Sequence, residues 1–434
     1  MKFLKIVAAF WLLFSLPEVY SQTIQLDSYS FGEGLNFKTT DGKELKISAY
    51  LQPYFESKTF SNDQAEDANN RFRMRRSRLR IDGNSSNKRF SYRLQIDLSG
   101  SSETEDAVGN YLMDAYISYD VTKKINIAFG QRATYTDNRE LFMNSNALQL
   151  VERSRLTSAF ASIREFGFFA QGNFKTGANS NLRPYLVLTN GDGGNVVGKD
   201  HGGLKVGGRV DFLPFGLFTN LGQFRQADVV RERTPKFIIG VNYSLNKGMS
   251  SRRGRESGTI LYLNDANQES LPDFTKYGVD FLFKYYGFSA LGEYIKTTAS
   301  VPSNITQRVR VDGSTSTTFD VNGIQNMESY VKGRMMLGTG YNFQLGYLFK
   351  NGISVDGRYT HLKADASSFL NNATFYNRPN YYTVGLSKYL ARNYGAKIQA
   401  SLTYVDGSDG INNNAGIPID SNEWMGRLML TFSL

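Results

Sequence analysis

The chain has 434 residues, a formal net charge of +10 and no cysteine, and 14% of its residues are aromatic, chiefly 31 Phe and 26 Tyr. So many aromatic residues exclude a disordered protein. The missing cysteine excludes a disulfide scaffold, a zinc–thiolate site and an iron–sulfur centre. Length alone suggests more than one domain, but that expectation assumes a hydrophobic core, which a closed barrel does not need.

Residues 1–21 have the form of a secretory signal peptide. Lys2 and Lys5 supply the positive start, and Ile6 to Leu16 form an apolar run too short to span a bilayer. Cleavage is expected near Ser21/Gln22, leaving a periplasmic segment over 22–44 and a barrel over 45–434. No later stretch is apolar and long enough for a membrane helix, so any span must be built from strands. A basic surplus suits nucleic acid, an anionic membrane or an anionic solute, and export sets nucleic acid aside.

From there on, apolar residues recur with period two. Between Arg89 and Gly100, Phe90, Tyr92, Leu94, Ile96 and Leu98 alternate with Ser91, Arg93, Gln95, Asp97 and Ser99. One face is oily and the other wet. Similar apolar sets are Ile47/Ala49/Leu51, Ile125/Ile127/Phe129, Tyr185/Val187, Phe237/Ile239/Val241/Tyr243, Tyr341/Phe343/Leu345/Tyr347 and Tyr382/Val384/Leu386. About 16 candidate strands result, joined by short links that alternate with long polar ones. This predicts an all-β, 16-stranded antiparallel transmembrane β-barrel with short periplasmic turns and long extracellular loops. One link resists: 214–235 should be a short turn and is not. The last strand, Trp424 to Leu434, keeps Leu428, Leu430 and Phe432 in its oily phase.

Several runs in chain order carry a resemblance. Phe72-Arg73-Met74-Arg75-Arg76-Ser77-Arg78-Leu79-Arg80-Ile81-Asp82-Gly83 resembles the arginine-rich second strand of phosphate-selective porins of the O/P type. Asp114-Ala115-Tyr116-Ile117, Phe129-Gly130-Gln131, Val151-Glu152-Arg153-Ser154, Arg164-Glu165-Phe166-Gly167 and Asn190-Gly191-Asp192-Gly193 follow where that family has similar runs. The resemblance implies a trimeric outer-membrane porin, anion-selective in its best-known members, whose third loop, here about 133–163, folds inward.

A pore selects anions by lining a narrow, wet passage with Arg or Lys. If Ser77, Leu79 and Ile81 face lipid, Arg76, Arg78 and Arg80 face the lumen. Arg71, Arg73 and Arg75 then sit outward near the rim, unless a bulge at Arg75-Arg76 turns them in. Lipid-facing arginine at mid-depth costs about 2–4 kcal/mol, which favours lumen or rim. The third loop adds Arg139, Arg153 and Arg155, with Arg132 and Arg164 at its ends. Phosphate-selective members of the family place a lysine beside an aspartate at the constriction. No lysine occurs between 133 and 163, so Asp114 keeps the acidic place and an arginine would have to partner it. Arg93, Lys284, Arg358 and Lys397 are expected to pair with lumen carboxylates such as Asp97, Asp280 or Asp356.

The expected partners are small anions such as phosphate or polyphosphate, outer-membrane lipids and two further copies of the chain. No cofactor, metal or catalytic site is expected. His201 and His361 have no matching serine motif, and Asp192 and Asp406-Gly407-Ser408-Asp409-Gly410 fit turn chemistry better than calcium. A non-specific porin, or a barrel whose loops bind surface partners, remains as an alternative.

Overall fold

The computed structural model describes residues 24–60, 69–102, 104, 111–194, 199–368, 378–391, 393–407, 411–412, 418–419 and 422–434. The expected signal peptide, its cleavage point and Ser408-Asp409-Gly410 lie outside them. A hairpin, β1 (Ile24–Ser30) and β2 (Gly34–Thr39), leads into the wall. The strands that follow are β3 (Glu44–Phe60), β4 (Asn69–Asn84), β5 (Phe90–Asp97), β6 (Leu112–Thr122), β7 (Ile125–Ala133), β8 (Arg164–Gly172), β9 (Asn181–Thr189) and β10 (Lys205–Leu213). The second half holds β11 (Lys236–Asn246), β12 (Asp273–Tyr285), β13 (Phe288–Ser300), β14 (Gly338–Leu348), β15 (Ile353–Ala364), β16 (Asn380–Tyr389), β17 (Ala396–Asp406) and β18 (Glu423–Ser433).

Each strand from β3 to β18 pairs antiparallel with the next, and β18 closes onto β3, from Glu423↔Phe60 to Ser433↔Tyr50. The result is a closed barrel of 16 strands, as the connectors predict. The hairpin extends the same sheet below β18, because β2 pairs with the first residues of β3 (Leu35↔Ile47 to Lys38↔Glu44). Gly42, with φ +87°, makes the tight turn between β2 and β3 that a side-chain-bearing residue resists.

The alternation decides which way each residue points. Ile127, Phe129, Val241, Tyr243, Phe343, Val384 and Leu428 are exposed on the outer wall, while Asp211, Asn242, Gln344 and Thr383 are buried inside it. An apolar exterior with every strand edge paired satisfies the backbone without water, which a bilayer crossing requires. Among the described residues no helix is long and apolar enough to cross a membrane. On the outer wall, near the long-loop rim, aromatic rings follow one another from strand to strand. Tyr359 stacks on Tyr382 at 4.9 Å, and Tyr404 meets Trp424 at 4.8 Å. Such belts sit at membrane–water interfaces.

The phase expected at β9 is inverted. Leu186 and Leu188 face outward, whereas Tyr185 and Val187 are buried inside with Tyr135 and Phe169. Both phases of Tyr185-Leu186-Val187-Leu188 are apolar, so periodicity could not choose between them. The inward pair is apolar because an inserted loop packs on it.

That loop is 134–163, between β7 and β8. It turns into the barrel through α1 (Arg139–Phe142) and α2 (Arg155–Phe160), the latter capped by Ser154 Oγ accepting from Thr157 N at 3.3 Å. The long link 214–235, anomalous as a short turn, also folds up into the lumen and meets the loop from the opposite end. Asn144 N donates to Phe224 O, and Gln226 N donates to Ala147 O, both at 3.2 Å. At the other rim, the connectors 247–272 and 301–337 share a small apolar core that includes Met249, Tyr262, Ile305, Phe319 and Val331.

Candidate functional site: the cationic lumen

The six arginines of β4 descend the inner wall from the long-loop rim. Gln52 pairs with Arg76 and Pro53 with Met74, so Arg75 is the extra residue of a bulge. The bulge changes the strand's phase at that point. Above it Phe72 and Met74 face outward, while Arg71 and Arg73 turn in; below it Arg76, Arg78 and Arg80 turn in. The bulge therefore brings all six to the inner side.

Each rung has a partner. Arg71 pairs with Glu56 at 2.6 Å, and Arg73 Nε donates to the Tyr54 hydroxyl at 2.8 Å. Arg75 and Arg76 grip opposite oxygens of Glu152, on the infolded loop, at 2.6 and 2.8 Å. Arg78 pairs with Asp97 at 2.8 Å and donates to Ser145 Oγ, while Arg80 pairs with Asp82 at 2.8 Å. Arginine suits this role because its planar fork makes directed bonds to two oxygens.

The other expected residues divide by role. Arg139 is fully buried between two wall carboxylates, Asp211 at 2.7 Å and Asp280 at 2.8 Å, with Arg209 bonded to the same pair. Arg153 donates to the carbonyls of Glu140 and Met143. Arg164 pairs with Asp114 at 2.8 Å, so the acidic place does have an arginine partner. Arg132 lies over the rings of Tyr116, Tyr135 and Phe169. Arg155 lines the cavity described below.

A wall lysine also meets the loop: Lys276 Nζ lies 2.5 Å from Asp137 Oδ1 in a buried pair. Two of the expected carboxylate pairings are replaced by carbonyls. Lys284 donates to Gly222 O and Ala227 O, both at 2.9 Å, and Lys397 donates to Leu148 O at 2.6 Å. The inward segments bring unpaired backbone oxygens to these lysines, which strand periodicity alone does not reveal. Arg93 does pair with a lumen carboxylate, Asp82, at 2.6 Å.

The infolded loop is held from above as well. Asp192, at the Gly-rich turn after β9, accepts from Ser250 N, Ser250 Oγ and Ser251 Oγ. Burial pushes its carboxyl above the usual range. The same connector sends Arg255 Nε to Ala161 O at 2.7 Å and Arg253 Nη1 to Ser158 O at 2.9 Å. These cap the last carbonyls of α2 with positive charge.

Above the loop, toward the long-loop rim, lies a cavity walled by β3, β4 and β15 to β18. Lys58, Arg71, Arg153, Arg155, Arg358, Arg378 and Arg427 line it, against Glu152 and Glu423. Glu56, just behind, takes Arg71 and Arg427, and Glu423 takes Arg378 at 3.0 Å. Cations still outnumber carboxylates, so the cavity carries a positive potential sharpened by its low-dielectric walls. Arg427 was visible in the wet phase of the last strand and Lys58 in that of β3. Arg378 sits in a connector with no periodicity to betray it.

The family model for phosphate-selective porin O and P matches residues 47–317. The outer membrane channel DcaP of Acinetobacter baumannii superposes with a TM-score of 0.51 at 12% identity, covering 92% of this chain and 99% of that one. OprB of Pseudomonas putida does so with a TM-score of 0.50 at 9% identity, covering 91% and 94%. An anion-selective porin from Comamonas acidovorans gives 0.49 at 9% identity, covering 90% and 100%. No curated protein matches the chain.

Proposed function

This chain belongs to the phosphate-selective porin O and P family of outer-membrane porins, and we propose that it passes small anions by passive diffusion, phosphate and polyphosphate among them. The observation that carries this reading is the excess of arginine along one continuous inner wall, from Arg71 at the cavity to Arg80 near the short-turn rim. Along that wall Arg71, Arg73 and Arg80 keep exposed surface, while Arg75, Arg76 and Arg78 are buried against Glu152 and Asp97 and act on a passing anion through their charge, which holds it weakly enough to let it leave. In this reading Arg76, Arg78 and Arg80 form the wall of the path, and Arg153 and Arg155 form its upper gate. Arg132, Arg164 and Asp114 set the potential beside the loop's root, and Arg139 holds the loop in place. The reading extends to a homotrimer embedded in outer-membrane lipid, to removal of residues 1–21, and to a periplasmic place for 22–44. The fold is that of a channel rather than an enzyme.

Planar bilayers test the solute class. Chloride current through the purified protein should fall when inorganic phosphate is added, because both anions compete for the same guanidiniums. Chloride current indifferent to phosphate would remove phosphate from the proposal, and a channel that passes potassium in preference would remove anions altogether.

A further inference from the structure

The cavity above the infolded loop has more chemistry than a simple inorganic anion needs. Lys58, Arg71 and Arg153 lie on β3, β4 and the loop, with Arg427 on the adjoining β18. Arg358 of β15 and Arg378, just before β16, flank the hydroxyls of Thr383 and Thr403, while the Thr360 hydroxyl donates to Asn342 Oδ1. Thr383 and Thr403 share one hydrogen bond at 3.0 Å, which leaves each with further capacity to donate or accept. Tyr381 is only 7% exposed, and its hydroxyl, beside the Arg155 guanidinium, makes no well-formed hydrogen bond. Burying such a group without a well-formed bond is costly, and a bound ligand would remove the cost. The cavity's volume is about 140 Å³, where about 10–15 Å³ on the same measure holds one water.

We propose that this cavity binds a phosphorylated sugar, or a polyol phosphate of similar size, with the phosphate toward Lys58, Arg71 and Arg153 and the hydroxylated body toward Thr383, Thr403 and Tyr381. The inference rests on the anion-porin reading and deepens it. Inorganic phosphate would use the cations and leave the Tyr381 hydroxyl unsatisfied. A neutral sugar would use the hydroxyls and leave the excess positive charge unanswered. A sugar phosphate meets both sets, and the Tyr381 ring and Met425 offer its C–H face an apolar surface.

The test is block of chloride current through the full-length mature protein by glucose 6-phosphate, inorganic phosphate and glucose, each titrated alone. Glucose 6-phosphate should block at about a tenfold lower concentration than phosphate, the ratio that one well-made extra hydrogen-bond set supplies. Glucose alone should not block. Tyr381→Phe and Thr383→Val should each narrow the gap between the two phosphates, while Tyr382→Phe, on the outer wall, should leave the ratio as it is. Equal block by the two phosphates, or a gap that survives both inner variants, overturns the assignment. Chloride conduction blocked by phosphate alone overturns it while leaving the anion porin intact. Cation selectivity would instead remove the underlying reading.

Discussion

Arg139 Nε of the infolded loop lies 2.8 Å from Asp280 Oδ1 on the barrel wall, with both side chains almost wholly buried. Asp211 takes the other arm of the guanidinium at 2.7 Å. Removing one partner of a buried ion pair leaves an uncompensated charge and costs about 3–5 kcal/mol. Arg139→Gln should therefore release this part of the loop, raise single-channel conductance and weaken anion preference, since two wall carboxylates lose a counter-charge. Single-channel recording measures both; unchanged conductance would show that the loop is held elsewhere.

Glu152 neutralises Arg75 and Arg76 together. Glu152→Gln keeps the shape and removes the charge, so the anion-to-cation permeability ratio should rise several-fold while the folded barrel becomes less heat-stable. Permeability comes from the zero-current potential of the variant, and stability from the temperature at which the folded band disappears in SDS gels. A fall in anion preference would contradict the idea that the charge of these buried arginines acts on the solute.

Glycines on the inner wall mark where the loop lies close. A Cβ added at Gly346 would sit 2.2 Å from both Asp356 Oδ1 and Gln149 Nε2. Gly346→Ala should displace the Gln149 amide from Ser289 and Asp356, at a cost of about 1–3 kcal/mol. Gly357, with nothing near its added Cβ, is the matched control. Heat-stability of the two variants decides: equal loss at both positions would mean that loop contact is not what Gly346 protects.

At the outer rim, Glu269 accepts from Lys199 and lies 2.9 Å from His201 Nδ1. Burial alone would raise its carboxyl, but Lys199 and His201 outweigh that and hold it below the ordinary value of 4.5. A depressed folded value means that the contact is at full strength above the unfolded value and weakens as pH falls through the folded one. Hydrogen exchange over 199–204 should accelerate as pH drops below about 4.5, after correction for the intrinsic rate. Glu269→Gln should flatten that dependence. A wild-type profile that is already flat would show that the Glu269 contacts do not hold this segment.

The barrel was legible because its wall largely obeys one rule, apolar out and polar in; on their inner faces β11 and β14 depart from it only at Ile238 and Leu348, which point onto the inserted segments. The rule failed where something inside replaces water. Tyr185 and Val187 point inward because Tyr135 covers them, and no local pattern records that. Arg71, Arg73 and Arg75 were ambiguous for a related reason, since one extra residue at Arg75 reverses the phase above it. The arginines and some of the carboxylates, Asp97, Asp114 and Asp280, could be named in advance, but not which would meet which. Loop insertion brings Glu152 to Arg75 and Arg76, and Arg139 to Asp211 and Asp280, over separations that local sequence does not encode. The link 214–235, too long for a short turn, is a second inserted segment, tied down where Lys284 donates to its Gly222 and Ala227 carbonyls.

The measurement closest to the central claim is the zero-current potential of the purified wild-type protein in a planar bilayer under a steep KCl gradient. If the arginines from Arg71 to Arg80 line the solute path, the potential should lie near the chloride equilibrium value and move toward zero in an Arg76→Gln/Arg78→Gln double variant. A wild-type potential near the potassium value, or one unmoved by the double variant, would contradict it.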